Sequence, residues 1–189
     1  YGLNFSASYK GIDMSMTFQG VSGIEILRET VIWTEGMNTN FNTSTDVLDR
    51  FRENDITITT EDDNGIEYNT NYTANTNADM PLAFNADNNG NITKFSDRYI
   101  EDGSYLRVKD LSIGYSFPES FNSKLKVSTF RVYFTGLNLL TFTSYKGFDP
   151  EIGTNTSLSS ERDKTLANGI DYGYYPQAKA FIFGIQLGF

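Results

Sequence analysis

Apolar and polar residues alternate with a period of two in five separate segments of the chain. Successive side chains of a β-strand point to opposite faces of the sheet, so this alternation predicts strands rather than helices. The predicted strands span about residues 1–9, 12–20, 105–117, 127–141 and 178–189. Only Lys10 and Gly11 separate the first two, which predicts a hairpin with a very short turn.

The third and fourth predicted strands show which residues share a face. In the third, Leu111 and Ile113 are apolar in one phase, whereas Leu106 and Val108 are apolar in the opposite phase. This change of phase predicts a β-bulge near Lys109-Asp110. In the fourth, one face is predicted to carry Phe130, Val132 and Phe134, and the other Arg131, Tyr133 and Thr135.

The connections between the predicted strands alternate in length. Residues 10–11 and 118–126 are short connections, whereas residues 21–104 and 142–176 are long ones. Short turns at one end and long loops at the other are typical of outer-membrane β-barrels, whose long loops are extracellular. A soluble β-sandwich shows the same alternation of side chains, so only the connection lengths favour the barrel.

The number of strands indicates that the chain is part of a larger structure. Five antiparallel strands cannot close a bacterial barrel, which uses an even number, and an open sheet would leave two unpaired edges in lipid. The chain also begins at Tyr1 without Met and without a signal peptide. We therefore expect these strands to belong to a longer barrel.

Composition narrows the possible chemistry. The net charge is −9, which argues against a nucleic-acid partner because phosphate binding needs clustered Lys and Arg. The chain has no His and no Cys, which excludes catalytic triads, His/Cys zinc sites and redox dithiols. Neighbouring carboxylates such as Asp62 and Asp63 offer no frame for glycoside hydrolysis, which needs two carboxyl groups across a cleft. We expect no enzymatic activity and no cofactor.

One segment resembles part of a calcium-binding loop. Asn85, Asp87 and Asn89 supply oxygen atoms at positions one, three and five, and Gly90 stands at position six. Position one is not Asp, and Ser96 occupies position twelve, where a bidentate Glu belongs. An Asn-Gly turn is the favoured interpretation, with calcium binding as the alternative.

Two groups of residues are candidates for contact with a solute. The predicted polar faces of the strands carry Asp110, Arg131, Tyr133 and Gln186, which either contact cargo or form a structural network with neighbouring strands. The last long loop is rich in aromatic residues that either stack on sugar rings or pack within the loop. These aromatic residues are Tyr145, Phe148, Tyr172, Tyr174 and Tyr175.

Three ordered motifs between residues 96 and 189 resemble the C-terminal barrel of SusC/RagA-type TonB-linked outer-membrane transporters. The first reads SDRYIEDGSYLRVK at residues 96–109, followed by LSIGYSFP at residues 111–118. The second reads LNLLTFT at residues 137–143, followed by YKGFDPE at residues 145–151. The third reads GIDYG at residues 169–173, followed by YP at 175–176, FIFG at 181–184 and the final Phe189.

This resemblance implies an all-β fold, the last five strands of a plugged transmembrane barrel with about 22 antiparallel strands. It implies import of large nutrients, oligosaccharides or peptides, in partnership with a SusD-like surface lipoprotein and with energy from TonB. The plug and the TonB-contacting segment lie N-terminal in this family and are not within this sequence. Two alternatives are an outer-membrane structural or adhesin barrel without transport, and a soluble β-sandwich binding module.

The last predicted strand also resembles a barrel assembly signal. Its apolar residues occupy alternate positions and end in an aromatic residue, as does the signal read by the outer-membrane insertion machinery. These residues are Phe181, Phe183, Ile185, Leu187 and Phe189. The alternative is a strand that only packs against its neighbours.

Overall fold

A computed structural model describes residues 1–37, 42–83, 90, 94, 96–153 and 168–189. The chain divides into two compact units, one of residues 1–28 and 100–189 and the other of residues 29–99. In chain order the strands and α-helices are β1 (Gly2–Tyr9), β2 (Ile12–Val21), β3 (Glu25–Arg28), α1 (Thr30–Glu35), β4 (Ile56–Glu61), β5 (Glu67–Tyr72), β6 (Ile100–Asp102), β7 (Tyr105–Ser116), α2 (Glu119–Leu125), β8 (Thr129–Thr143), β9 (Ile170–Asp171) and β10 (Ala180–Gly188).

The first unit contains a sheet of five strands in the order β1-β2-β7-β8-β10, in which all neighbours are antiparallel. Each of these strands begins and ends within two residues of a strand predicted from the alternation. The sheet does not close on itself within the described residues, and β1 and β10 form its edges. The predicted all-β class with antiparallel strands is therefore confirmed, and the described residues form an open part of a barrel.

The predicted hairpin turn is confirmed. Tyr9 pairs with Ile12, so only Lys10 and Gly11 form the turn between β1 and β2. Both turn residues have positive φ, 48° at Lys10 and 85° at Gly11. This is the backbone of a type I′ turn, whose twist matches the twist of the two strands that it joins.

The predicted bulge is also confirmed. The register between β7 and β8 shifts between Val108 and Asp110, and the register between β2 and β7 shifts at the same place. On β8 the shift falls at Asn138, which has a φ of 52°. The bulge explains why the apolar positions of β7 change phase along the strand.

The five-stranded sheet has one polar face and one apolar face. In register across the strands, the apolar face carries Ile12, Tyr115, Val132 and Ile185, and in the next row Ala7, Met14, Ile113, Phe134 and Phe183. Several of these side chains remain exposed in the described chain, and Phe183 is 79% exposed and Ile185 67% exposed. Within the first unit, the buried apolar residues of the sheet are Tyr105 and Val108, at one end of β7, and in the second unit Val31, Val47 and Tyr99 are buried.

The connection between β7 and β8 is a helix and not only a turn. Helix α2 ends at Lys126, whose positive φ of 58° forms the left-handed C-cap. The ring of Phe130 stacks on Phe117 at 4.7 Å between ring centroids, and Phe117 stacks on Phe121 of α2 at the same distance. Phe130 lies on the predicted apolar face of β8, and these aromatic rings pack against it.

The segment predicted as one long loop, residues 21–104, contains regular structure. Its two ends pair with each other as the antiparallel strands β3 and β6, and β9 adds to β3 in parallel. These strands are only two to four residues long, which is too short for a recognisable alternation of apolar and polar residues. The second long connection, residues 142–176, contributes β9 to this small sheet.

The second unit contains α1, two short 3₁₀ helices and the hairpin of β4 and β5. The hairpin is held on one face by hydrogen bonds from Thr57 to Asn71, at 2.8 Å, and from Thr59 to Asn69, at 2.6 Å. The carboxylate of Asp62 accepts the backbone N–H groups of Asn64 and Ile66 and so closes the turn, and these hydrogen bonds lower its pKa. Within the described residues of the chain, no helix is both long and apolar enough to span a membrane.

The two faces of β8 predict opposite effects of the same substitution. If the apolar face meets lipid, Val132→Arg should destabilise the folded barrel by about 2 to 4 kcal/mol near the bilayer midplane. Thr135→Arg is the matched control on the polar face, where Thr135 contacts Ser112 at 3.1 Å, and it should be tolerated. Urea-induced unfolding in lipid vesicles measures both, and the reverse ranking would show that the faces are inverted.

Candidate functional site on the polar face of the sheet

An ion pair crosses the polar face between two strands that are not neighbours. Arg131 on β8 donates to both carboxylate oxygens of Asp13 on β2, with an Nε–Oδ1 distance of 3.0 Å. Strand β7 lies between them, and its residue in register with Asp13 is Gly114. A Cβ added to Gly114 would overlap the guanidinium of Arg131. Gly114 therefore gives Arg131 the space to lie flat across β7.

A second glycine accommodates Tyr133. Gly184 of β10 is the register partner of Tyr133, and a Cβ added to Gly184 would overlap the tyrosine ring. The guanidinium carbon of Arg131 lies 5.2 Å from the centroid of this ring. The contact is a cation–π interaction, which adds to the bidentate ion pair in fixing Arg131.

The four candidate residues of the polar face are only partly brought together. Gln186 is the register partner of Arg131, next to Tyr133, so these three form one group. Asp110 pairs with Leu137, four residues from Gly114 along β7, and lies apart from the group. Sequence periodicity placed the residues on one face, but it did not identify Asp13, which neutralises Arg131.

A second polar cluster, the Arg107 cluster, lies at the end of the sheet beyond the bulge. Arg107 of β7 is 2% exposed and donates to Asp149, to Glu151 at 2.7 Å and to Thr141 at 2.9 Å. Lys109 also donates to Glu151, at 2.9 Å. The cluster therefore contains two basic and two acidic side chains, so the buried charges compensate one another.

Asp149 is the residue on which this cluster converges. Besides Arg107, its carboxylate accepts the backbone N–H groups of Glu151 and Gln177, both at 2.9 Å. Burial by itself raises the pKa of Asp149, but the two backbone hydrogen bonds and the guanidinium of Arg107 outweigh it and hold the pKa below its usual range. Asp149 therefore stays ionised in its buried position.

A buried tyrosine joins two parts of the connection between β8 and β10. The Tyr145 hydroxyl donates to Asp171, which is 2% exposed and also accepts the backbone N–H of Gly173 at 2.8 Å. Burial, and then the hydrogen bond to Asp171, raise the pKa of Tyr145, so its hydroxyl remains a donor. Asp171 belongs to β9, so this contact ties residue 145 to the small parallel pair.

The loop aromatics divide into buried and exposed residues. Tyr145 packs within the folded connection, as one of the two interpretations of the sequence proposed. Phe148 is 73% exposed and Tyr175 is 94% exposed, so these two have no packing role in the described structure. Both are free to contact a solute.

Sequence reasoning did not identify Arg107, Asp149 or Glu151 as a cluster. All three occur in the segments that carry the family resemblance, which was the one signal that could have selected them. No spacing rule links residue 107 to residues 42 and 44 positions later. Their contact depends on the fold of the whole connection after β8.

The remaining candidates lie on β10 or outside the described residues. Phe181, Phe183, Ile185 and Leu187 are exposed on the open edge strand, and Phe189 follows the end of that strand. The calcium candidates Asn85, Asp87 and Asn89 fall outside the described residues. Among the residues that the structure does describe, no group of three or more acidic side chains is arranged to hold a metal ion.

The tyrosine contact predicts a measurable loss of stability. Tyr145→Phe removes one partner of the buried Asp171 carboxylate and should cost about 1 to 3 kcal/mol of unfolding free energy. Tyr175→Phe removes the same hydroxyl from an exposed ring and should leave stability unchanged. Denaturant titrations of the two variants in detergent test this, and equal stabilities would show that the Tyr145 hydrogen bond is not important.

The curated proteins that resemble this chain include several TonB-dependent receptors. No protein-family model matches the chain. It is 34% identical over 188 residues to TonB-dependent receptor P3 of Formosa agariphila, covering 100% of this chain and 16% of that receptor. It is 34% identical over 95 residues to TonB-dependent receptor SusC of Bacteroides thetaiotaomicron, covering 50% of this chain and 8% of SusC.

Solved structures agree with these relatives. A structure of the RagAB peptide transporter matches 98% of this chain and 17% of its own chain, with 26% identity and a TM-score of 0.69. The RagAB peptide importer in its open-open state matches 100% of this chain with 25% identity and a TM-score of 0.64. The chain thus spans about a sixth of the length of these relatives.

These matches confirm the family that the motifs predicted. The relatives are receptors and not enzymes, which agrees with the expectation from the sequence. TonB-dependent receptors are outer-membrane β-barrels that take up nutrients, and the sheet described above corresponds to part of such a barrel. The chain is therefore a barrel segment of a SusC/RagA-type TonB-dependent receptor, consistent with the C-terminal segment that the sequence predicts.

Proposed function

We propose that the complete receptor resides in the bacterial outer membrane and imports large nutrients, oligosaccharides or peptides, with energy from TonB. We also propose a SusD-like surface lipoprotein as its partner. One observation carries the membrane part of the proposal: the five-stranded sheet has an apolar face on which large side chains such as Phe183 and Ile185 remain exposed. Lipid is the environment in which such a face is stable.

The open edges of the sheet support the same proposal. β1 and β10 each leave a row of unpaired backbone groups, and in lipid each such group costs several kcal/mol. Further strands on both sides would satisfy them, as in a closed barrel of about 22 strands. In that barrel residues 1–189 supply five strands, and the long connections 21–104 and 142–176 are extracellular.

The cargo and the partner are proposed by analogy with the relatives. The RagAB structures are those of a peptide importer, which makes peptides one candidate cargo class. The SusC relative supports a lipoprotein partner of the SusD type. For the polar face itself, we propose that Arg131 and Tyr133 brace the wall of the passage, because Asp13 and Gly184 already engage them.

The two alternative functions make different demands on the molecule. A soluble β-sandwich needs a second layer over the apolar face, and the described residues supply none. An adhesin barrel without transport fits the sheet equally well. It differs from a transporter in having no requirement for energy from TonB, which an uptake experiment detects.

Transport is tested with the full-length receptor in its own bacterium. Cells are grown on single oligosaccharides and single peptides of increasing length as the only nutrient. Deleting the receptor gene should abolish growth on at least one of them, and re-expression should restore that growth. Removing TonB function should abolish uptake of that nutrient while the receptor still binds it at the surface. Growth on every nutrient tested without the receptor would leave the adhesin as the better explanation.

The proposed assembly signal on β10 has its own test. Phe189→Ala removes one side chain, worth about 1.5 to 3 kcal/mol even if fully buried, which a large barrel should survive. If the insertion machinery reads this residue, the amount of receptor in the outer membrane should nevertheless collapse, with unfolded chains in the periplasm. Phe148→Ala is the matched control on an exposed loop aromatic. Normal insertion of both variants would leave β10 with only a packing role.

A further inference from the structure

We propose that Arg107 is a positioning residue that fixes two limbs of the connection after β8, residues 144–153 and 168–179, over the polar face. In this position the limbs narrow the passage along that face and set the size of solute that enters it. The inference rests on the proposed function and adds to it the part of the chain that limits access.

The register shows that the Arg107 cluster faces the same side as the Arg131–Asp13 pair. Gln19, Arg107 and Thr141 pair in one row across β2, β7 and β8. Strand β2 is uninterrupted from Asp13 to Gln19, and an even number of positions separates them, so both side chains lie on the polar face. The limb residue Glu151 accepts a hydrogen bond from Gln19 at 3.5 Å, which places this limb over that face.

Both limbs are held by the same carboxylate. Asp149 belongs to the first limb and contacts Arg107 directly, while the backbone N–H of Gln177, in the second limb, donates to Asp149 at 2.9 Å. Arg107 therefore fixes the second limb through Asp149.

The burial of the cluster indicates a fixed wall and not a moving gate. Arg107 is almost fully buried and uses Nε and both terminal nitrogens on three different residues. Moving the limbs away would leave buried charges without partners, which is unfavourable. The limbs thus keep their position while the exposed rings of Phe148 and Tyr175 remain available to solutes.

The width of the passage can be measured without transport, by testing which sizes of thiol-reactive reagent reach an introduced cysteine. The 189 residues contain no Cys, so Thr17→Cys places a single thiol in this segment on the polar face, one row beyond the Arg107 cluster. The full-length receptor, with any cysteines elsewhere replaced, is labelled in intact cells with maleimide-polyethylene glycols of increasing size. Tyr175→Cys, at an exposed site on a limb, serves as the reference for unrestricted labelling.

The parent carrying Thr17→Cys should react with small reagents and exclude large ones, and adding Arg107→Gln should shift this cut-off to larger reagents. Arg98→Gln removes another paired arginine, whose partner Glu35 belongs to the second unit, and should leave the cut-off unchanged. An unchanged cut-off with Arg107→Gln, or an equal shift with Arg98→Gln, would overturn the proposal.

A second variant covers the possibility that Arg107→Gln does not assemble. Asp149→Asn keeps the size of the side chain and removes the charge that holds Arg107, so it should give the same shift. If neither variant reaches the outer membrane, the cluster is needed for folding and the proposal is overturned. Because no nutrient is used, a receptor that imports nothing still gives a result, which separates this test from that of the proposed function.

Discussion

The structure depends on one constraint: each of five paired strands must present apolar side chains to one side and polar side chains to the other. Because the strand period is two, a single-residue slip in register would move every side chain to the wrong face. The two-residue turn after Tyr9 sets the register of β1 and β2. The bulge at Val108–Asp110 then changes the phase of β7. As a result, the polar side chains before and after the bulge, such as Arg107 and Asp110, lie on the same face of the sheet.

Within the described part of the chain, the apolar face of the sheet has no hydrophobic core packed against it. The side-chain ion pairs that hold the first unit together lie on the polar face. The Arg131–Asp13 pair spans β2, β7 and β8, and glycines in register provide the room for the long side chains. At the end of the sheet, Arg107 and Asp149 connect the strands to the connection that follows β8. Arg107 and Asp149 are buried, and their hydrogen bonds offset part of the cost of removing their charges from water.

The same arrangement divides the molecule by function. The strands supply a sheet with one apolar face, and the match to the RagAB peptide transporter includes this sheet. The connection after β8 is anchored to the sheets by Arg107 and by the Tyr145–Asp171 contact. The anchoring side chains Arg107 and Asp171 are buried, whereas the rings of Phe148 and Tyr175 in the same connection are exposed.

The sequence by itself determined the five long strands, the hairpin turn, the bulge and the family, because alternation and turn residues are local signals. It also placed Arg131 and Tyr133 on one face. It did not determine that Asp13 neutralises Arg131, that α2 and Phe117 pack against Phe130, or that Arg107 meets Asp149. Those contacts join residues far apart in the chain, and only the tertiary structure, through register and the path of the connections, decides which distant side chains meet.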